Sequence, residues 1–299
     1  MIEIRDMSTG YYSDAAGHFR QEQQLKHSGD PDGCSRQQQR EHPGDPDGRS
    51  RQQQREHSGD IVVRVDHLKL REREITVIVG KNGCGKSTLL KAIAGQLPHQ
   101  GEILSDGSEI GRLSSVRRAR LISYLPQHLT IPEMSVGTLV SHGRFCRMGF
   151  SKTLTAKDRE YVADAMALAE VDHLRDKSLS LLSGGERQRA YMAMTIAQES
   201  PMMLLDEPDT YMDIEHKKAL LSILHTLRNQ GRGIVMSSHD LPFAFLAADR
   251  ICVMKEGQIT AEGKPDEIAS RGTILREAMG AGMRKVTEPG FLYPYMMEE

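Results

Sequence analysis

Short apolar runs punctuate this chain and longer mixed stretches separate them. Ile75-Thr-Val-Ile-Val79, Met202-Met-Leu-Leu205 and Gly233-Ile-Val-Met236 are almost wholly apolar and bounded by polar residues. Runs of that length and flank predict strands buried on both faces, as in a parallel sheet covered by helices. After the first run, Leu89, Leu90, Ile93, Ala94 and Leu97 recur at helical spacing until Pro98, which predicts a helix ending there. Tyr161, Val162, Ala165, Met166 and Ala169 share one helical face, within a stretch from His128 to about Leu182 that reads as helical. Leu121–Leu125 predicts a further strand ending at Pro126-Gln127. Alternation marks half-buried strands at Met1–Asp6 and at Ile61–Val65, where Leu68 and Leu70 continue the pattern. Ile251–Met254 and Gln258–Thr260 around Glu256-Gly257 predict a hairpin. Strands alternating with helices make the class α/β.

One segment breaks the pattern. Residues 27–41 (HSGDPDGCSRQQQRE) recur as 42–56 (HPGDPDGRSRQQQRE), and a third copy begins at His57. No aliphatic or aromatic side chain occurs in this repeat, so it has nothing to bury against the entropy of ordering. It is expected to be an inserted, disordered loop. Asp30-Pro-Asp-Gly33 and Asp45-Pro-Asp-Gly48 fit type I turns. As calcium loops they fail, because Cys34, Ser35 and Arg36 lead to Gln39 where the pattern needs Glu.

Composition narrows the classes. The 299 residues carry 41 acidic and 39 basic side chains, so no net charge draws the chain to nucleic acid or anionic lipid. No apolar run approaches the length of about twenty residues that spans a bilayer, and no charged-then-apolar stretch ending in small residues reads as a secretory leader, so none is expected. A cytosolic location is expected. Cys34, Cys84, Cys146 and Cys252 lie far apart, which suits free thiols better than disulfides or a zinc site.

The chemistry gathers at the ends of the apolar runs. Gly80-Lys-Asn-Gly-Cys-Gly-Lys-Ser-Thr88 satisfies G-x-x-x-x-G-K-[ST] directly after the strand at 75–79. Its glycines let backbone N–H groups turn around an oligophosphate at a helix start. Lys86 is expected on the β- and γ-phosphates, and Ser87 on Mg²⁺. Asp206 and Glu207 close the apolar run 202–205, at the strand end where open α/β sheets bind ligands; the first suits Mg²⁺ and the second an attacking water. Ser183-x-x-Glu186 is a capping box opening a helix. Gly184 and Gly185 then exceed what a cap needs, since each costs a helix about 1 kcal/mol. Something must approach that backbone closely.

Taken together, GKNGCGKST (80–88), the Gln of YLPQ (124–127), LSGGERQR (182–189), MMLLDEP (202–208), Asp213 and SSHD (237–240) resemble the nucleotide-binding subunits of ATP-binding cassette transporters. The resemblance covers about Met1–Tyr12 and Ile61–Gly280. GRFCRMGFS (143–151) and DEPDTYMDI (206–214) are most similar to ATPases that serve iron-siderophore, haem and cobalamin importers.

This resemblance implies a P-loop NTPase core with a mainly parallel sheet, an N-terminal antiparallel β portion and an inserted α-helical subdomain. The core would take residues 1–26 with 57–127, then 183–280. The helical subdomain would take 128–182, the repeat 27–56 and a tail 281–299. Two copies would sandwich two ATP molecules. The loop residues Gly80, Asn82, Gly83, Cys84, Gly85, Lys86, Ser87 and Thr88 of one would face Ser183, Gly184 and Gly185 of the other. Glu207 would be the catalytic base, His239 the switch at the γ-phosphate, and Gln127 the sensor of Mg²⁺ and water. Mg²⁺ would be held by Ser87, Gln127 and Asp206, and Asp213 would link the two sites. Partners would be a second copy, transmembrane permease subunits and, indirectly, a substrate-binding protein, on the cytoplasmic face of the cell membrane. The alternative is a soluble mechanical ATPase acting on DNA or ribosomes. Such proteins carry a long coiled coil or two cassettes per chain, and this sequence has neither. A cassette impaired by the insertion is opposed by the intact Lys86, Asp206, Glu207 and His239.

Three departures add expectations. Tyr11 or Tyr12 matches the aromatic that stacks on adenine, but the repeat separates it from the phosphate loop. Looping out is favoured over loss of the first strand, because each doubling of loop length costs only about 0.6 kcal/mol. Asp209 adds charge beside Glu207. Cys84, next to Lys86 and a helix start, is expected to favour its thiolate.

Overall fold

The computed structural model describes residues 1–11, 60–148, 153–210, 212–286 and 295–298. The repeat at 27–56, Tyr12 and the side chain of Tyr11 lie outside the described residues. By contacts the chain separates into two units, Met1–Gly10 with Ile61–Glu299, and Tyr11–Asp60. The first holds the sheet, the core and the candidate site.

Ten described strands form one sheet. They are β1 (Ile2–Tyr11), β2 (Asp60–Leu70), β3 (Ile75–Val79), β4 (His99–Ser105) and β5 (Ser108–Glu109), then β6 (Ile122–Leu125), β7 (Met202–Asp206), β8 (Gly233–Ser238), β9 (Arg250–Lys255) and β10 (Gln258–Gly263). Their spatial order is β5-β4-β1-β2-β10-β9-β3-β8-β7-β6. Neighbours from β9 through β3, β8 and β7 to β6 run parallel, while β1–β4, β4–β5 and β9–β10 are antiparallel. The fold is thus α/β, with a mainly parallel core and an antiparallel N-terminal portion.

Every residue of β3, β7 and β8 is buried, as their unbroken apolar text requires. Alternate side chains enter two cores. Val77, Val79, Leu205 and Met236 join one with the helices α3 (Val136–His142), α4 (Ala156–Leu168), α5 (Gly184–Ala197), α6 (Ile214–Asn229) and α7 (Leu241–Ala247). Ile78, Leu204 and Val235 join the other with α1 (Lys86–Ile93) and strands β1, β2 and β4. Leu89, Leu90 and Ile93 of α1 are fully buried there. At about 1.5–3 kcal/mol each, they fix the phosphate loop to the sheet. The remaining helices are α2 (Ser115–Leu121), α8 (Pro265–Ser270) and α9 (Gly272–Met279).

Four details differ from the sequence reading. The first strand runs on past Asp6 to Tyr11, and it lies between β4 and β2 as expected. Helix α1 stops at Ile93, because Gly95 turns left-handed (φ +67°); Leu97 is buried from the loop beyond. Among the described residues the 128–182 stretch holds two separate α-helices, followed by short 3-10 turns at Asp172–Leu174 and Leu179–Leu181, and α5 packs against both α-helices. Finally, the described part of the tail pairs with itself: β11 (Gly282–Lys285) runs antiparallel to β12 (Tyr295–Glu298), and Tyr295 lies edge-on to Phe245 at 5.1 Å.

Candidate ATP-binding site

Because β3, β8, β7 and β6 are adjacent and parallel, their C-terminal ends share one edge of the sheet. The phosphate loop follows β3, Glu207 follows β7, His239 follows β8 and Gln127 follows β6. Four sequence-distant motifs therefore meet because of strand order alone.

The loop is closed on itself. Lys86 is 4% exposed, and its Nζ donates to the carbonyls of Gly80 (2.7 Å) and Lys81 (3.2 Å). Gly85 caps α1 at φ +107°, where an added Cβ would come within 2.6 Å of Val63. Both backbone angle and space demand glycine there.

Asp206 gathers hydroxyls. Its Oδ1 accepts from Ser87 Oγ (2.9 Å) and Ser237 Oγ (2.7 Å), and its Oδ2 from Tyr124 OH (3.2 Å). Glu207 gathers the rest. Its Oε2 accepts from Gln127 Nε2 (2.7 Å) and Thr210 Oγ1 (3.2 Å) and lies 3.2 Å from His239 Nδ1, while Lys86 Nζ stands 3.8 Å from Oε1. The Glu207 backbone is left-handed (φ +49°), with its N–H donated to Ser237 Oγ at 2.9 Å. A non-glycine residue holds that conformation only when its surroundings enforce it. Among the residues expected at the site, Lys86, Ser87, Gln127, Asp206, Glu207 and His239 are brought together. The oxygen donors of Ser87 and Asp206 suit a hard cation such as Mg²⁺, and the ring of backbone N–H groups with Lys86 suits an oligophosphate.

Ser183, Gly184 and Gly185 open α5. Both halves of the capping box form, Glu186 N–H to Ser183 Oγ at 3.3 Å and Ser183 N–H to Glu186 Oε2 at 2.7 Å, and the Ser183 N–H and hydroxyl hold the Glu186 carboxyl below its ordinary value. A Cβ on Gly184 would meet nothing within 4 Å, and one on Gly185 only the ring of His216, at 3.8 Å. No left-handed angle requires glycine at either position. Nothing among the described residues explains them.

One expectation is corrected. Cys84 does not favour its thiolate: it is buried, and desolvation raises its thiol above the ordinary value against the opposing pull of Lys86. Asp209, next but one to Glu207, is buried, its Oδ2 accepting from Ser238 Oγ at 2.6 Å. The sequence reading missed Tyr124, Ser237, Ser238 and Thr210. Three of these are hydroxyls within or just after buried strands, where only a hydrogen-bonded polar group is tolerated.

The ABC transporter family profile matches residues 63–210. The petrobactin import ATP-binding protein FpuD of Bacillus anthracis is 38% identical over 237 residues, covering 78% of this chain and 86% of its own length. The chain belongs to the ABC transporter family. It is an ATP-binding, ATP-hydrolysing cassette subunit. The ferric enterobactin transport ATP-binding protein FepC of Escherichia coli (strain K12) is 39% identical over 212 residues, 70% of this chain and 78% of that one. Among solved structures, the dimeric post-hydrolysis state of the ATP-binding cassette MJ0796, bound to ADP and Pi, superposes with a TM-score of 0.65 at 20% identity, covering 89% of this chain and 99% of that one. That likeness supports the fold of the cassette. No described helix is long and apolar enough to cross a membrane.

Proposed function

We propose that this cassette drives import of a ferric siderophore or related metal chelate, working as a homodimer on transmembrane permease subunits at the cytoplasmic face of the membrane. The observation that carries the hydrolytic part is the convergence of Lys86, Gln127 and His239 on Glu207. In this reading the loop 80–88 and Lys86 bind the phosphates of ATP, and Glu207 orients the attacking water and takes up its proton. His239 and Gln127 hold that carboxylate in place. Mg²⁺ held by Ser87, Asp206 and Gln127 would offset the charge of the phosphates. Phosphoryl transfer asks for little more than such positioning and neutralisation.

The open face of Gly184 and Gly185 supports the dimer, since a phosphate group bound to a second copy can approach a helix start without side chains. The iron-chelate cargo rests on the relatives named for petrobactin and ferric enterobactin. Tyr11 or Tyr12 is assigned to adenine, and the helices between β6 and β7, with Gln127 at their root, to coupling with the permease. Asp213, the N-cap of α6, is assigned to the link between the two sites.

The deciding experiment compares MgATP hydrolysis by the purified chain with Glu207→Gln. Hydrolysis should fall on the order of a hundred-fold or more in the variant, while ATP binding persists and ATP-dependent dimers accumulate. Equal hydrolysis by both would reject Glu207 as the base. Uptake of radioiron chelates by cells lacking and regaining this chain decides the cargo.

A further inference from the structure

Asp209 is 3% exposed, and its Oδ1 is buried without a hydrogen-bond partner among the described residues. A carboxylate oxygen so placed is costly, and a site that keeps it must gain something from the residue. The other oxygen, Oδ2, accepts from Ser238 Oγ at 2.6 Å. Ser238 Oγ in turn accepts the Asp240 N–H at 3.0 Å. Between those two residues stands His239, whose Nδ1 lies 3.2 Å from Glu207 Oε2. Asp240 continues the chain of contacts: its Oδ1 caps α7 by accepting the Phe243 N–H at 3.0 Å, and its Oδ2 pairs with Lys217. The segment 207–209 is therefore joined to 237–240 at two points, Glu207 N–H to Ser237 Oγ and Ser238 Oγ to Asp209.

We propose that Asp209 is a positioning residue for hydrolysis, which through Ser238 fixes the backbone that presents His239 to Glu207, and that it does so as a hydrogen-bonding group rather than as a charge.

The charged groups around it are Glu207 two residues before, Asp240 and His239 across the Ser238 bond, and Lys217, which lies on Asp240. No cation pairs with the Asp209 carboxyl among the described residues. Burial raises that carboxyl above its ordinary value against the opposing hydrogen bonds from Ser238 and from its own backbone N–H, with Asp240 adding to the rise and His239 opposing it. The sign for stability follows. With the folded value above the unfolded one, folding is disfavoured progressively as pH rises past the unfolded carboxyl value, and the loss is complete above the folded value. An amide at 209 removes that loss and keeps an oxygen for Ser238.

The catalytic arm rests on the proposed function; the stability arm does not. Asp209→Ala should lower kcat about ten- to a hundred-fold with the KM for ATP within about two-fold, and Asp209→Asn should restore kcat. In the absence of nucleotide, Asp209→Asn should melt about 3 °C above wild type at pH 8, the difference shrinking toward pH 4, while Asp209→Ala melts below Asp209→Asn at every pH. Wild-type kcat in Asp209→Ala would overturn the positioning role. Asp209→Asn as slow as Asp209→Ala, or a melting difference independent of pH, would overturn the hydrogen-bonding role. A wild type that hydrolyses no ATP would remove the functional reading, and the melting series would still decide whether Asp209 holds the two segments together.

Discussion

Gly184 separates what a fold needs from what a function needs. It is the first residue of α5, in helical conformation, with open space where a side chain would be. Alanine there should stabilise the isolated chain by up to about 1 kcal/mol, yet its methyl would occupy the face assigned to a second copy's ATP. Gly184→Ala should therefore melt at or above the wild-type temperature while losing hydrolysis on the order of a hundred-fold. Full hydrolysis in this variant would mean that the signature glycines face nothing in the working complex. Much of the site was legible at this scale, because phosphate chemistry ties residue types to fixed spacings: Lys86, Ser87, Asp206 and Glu207 were read from text alone. Cys84 was misread because sequence shows that Lys86 is near but not that the thiol is buried, and burial decides the sign. For Asp209, adjacency to Glu207 is visible in sequence, but its bond to Ser238 is not, being set by the pairing of β7 with β8.

Elements were legible where one period dominated. β3, β7 and β8 announce themselves as unbroken apolar runs, and the β9–β10 hairpin by Glu256-Gly257, both left-handed in the structure. The helical stretch between β6 and β7 was read only as helical, without its separate elements, because periodicity does not mark where short helices end. What organises it is a buried cation. Arg144, 4% exposed, donates from Nε to Asp158 Oδ1 at 2.9 Å and from Nη1 to the Ala197 carbonyl at 2.8 Å, and its guanidinium covers the ring of Tyr161 at 4.4 Å. It thus joins the turn after α3, the first turn of α4 and the end of α5. Asp158 also completes the Thr155 capping box of α4. Arg144→Ala would leave that buried carboxylate and the Ala197 carbonyl without this partner, a loss of about 3–5 kcal/mol. Urea unfolding should show a correspondingly lower midpoint. Because the nucleotide loop lies on the other side of the sheet core, ATP affinity below the melting temperature should change by less than about three-fold.

At the scale of the molecule the order of the sheet explains how a cassette carries a repeat of 15-residue units inside its first hairpin of strands. β1 and β2 are neighbours in the sheet, so the ends of the inserted segment are set by strand pairing. Ile2, Ile4, Val63 and Val65 are buried in the same core, and their burial holds β1 whatever joins it to β2. Connection length then enters only as closure entropy, which grows logarithmically. Deleting 27–56 shortens the connection from Tyr11 to Asp60 by somewhat more than half, a gain of just under about 1 kcal/mol. The deletion should therefore melt no lower than the full chain and hydrolyse MgATP within about two-fold of it, with an unchanged KM for ATP if Tyr11 or Tyr12 reaches adenine. A deletion that hydrolyses far faster at lower KM would mean that the repeat competes with adenine for this edge of the sheet. A deletion that unfolds would mean that the repeat contributes to the core, against its lack of any aliphatic or aromatic side chain.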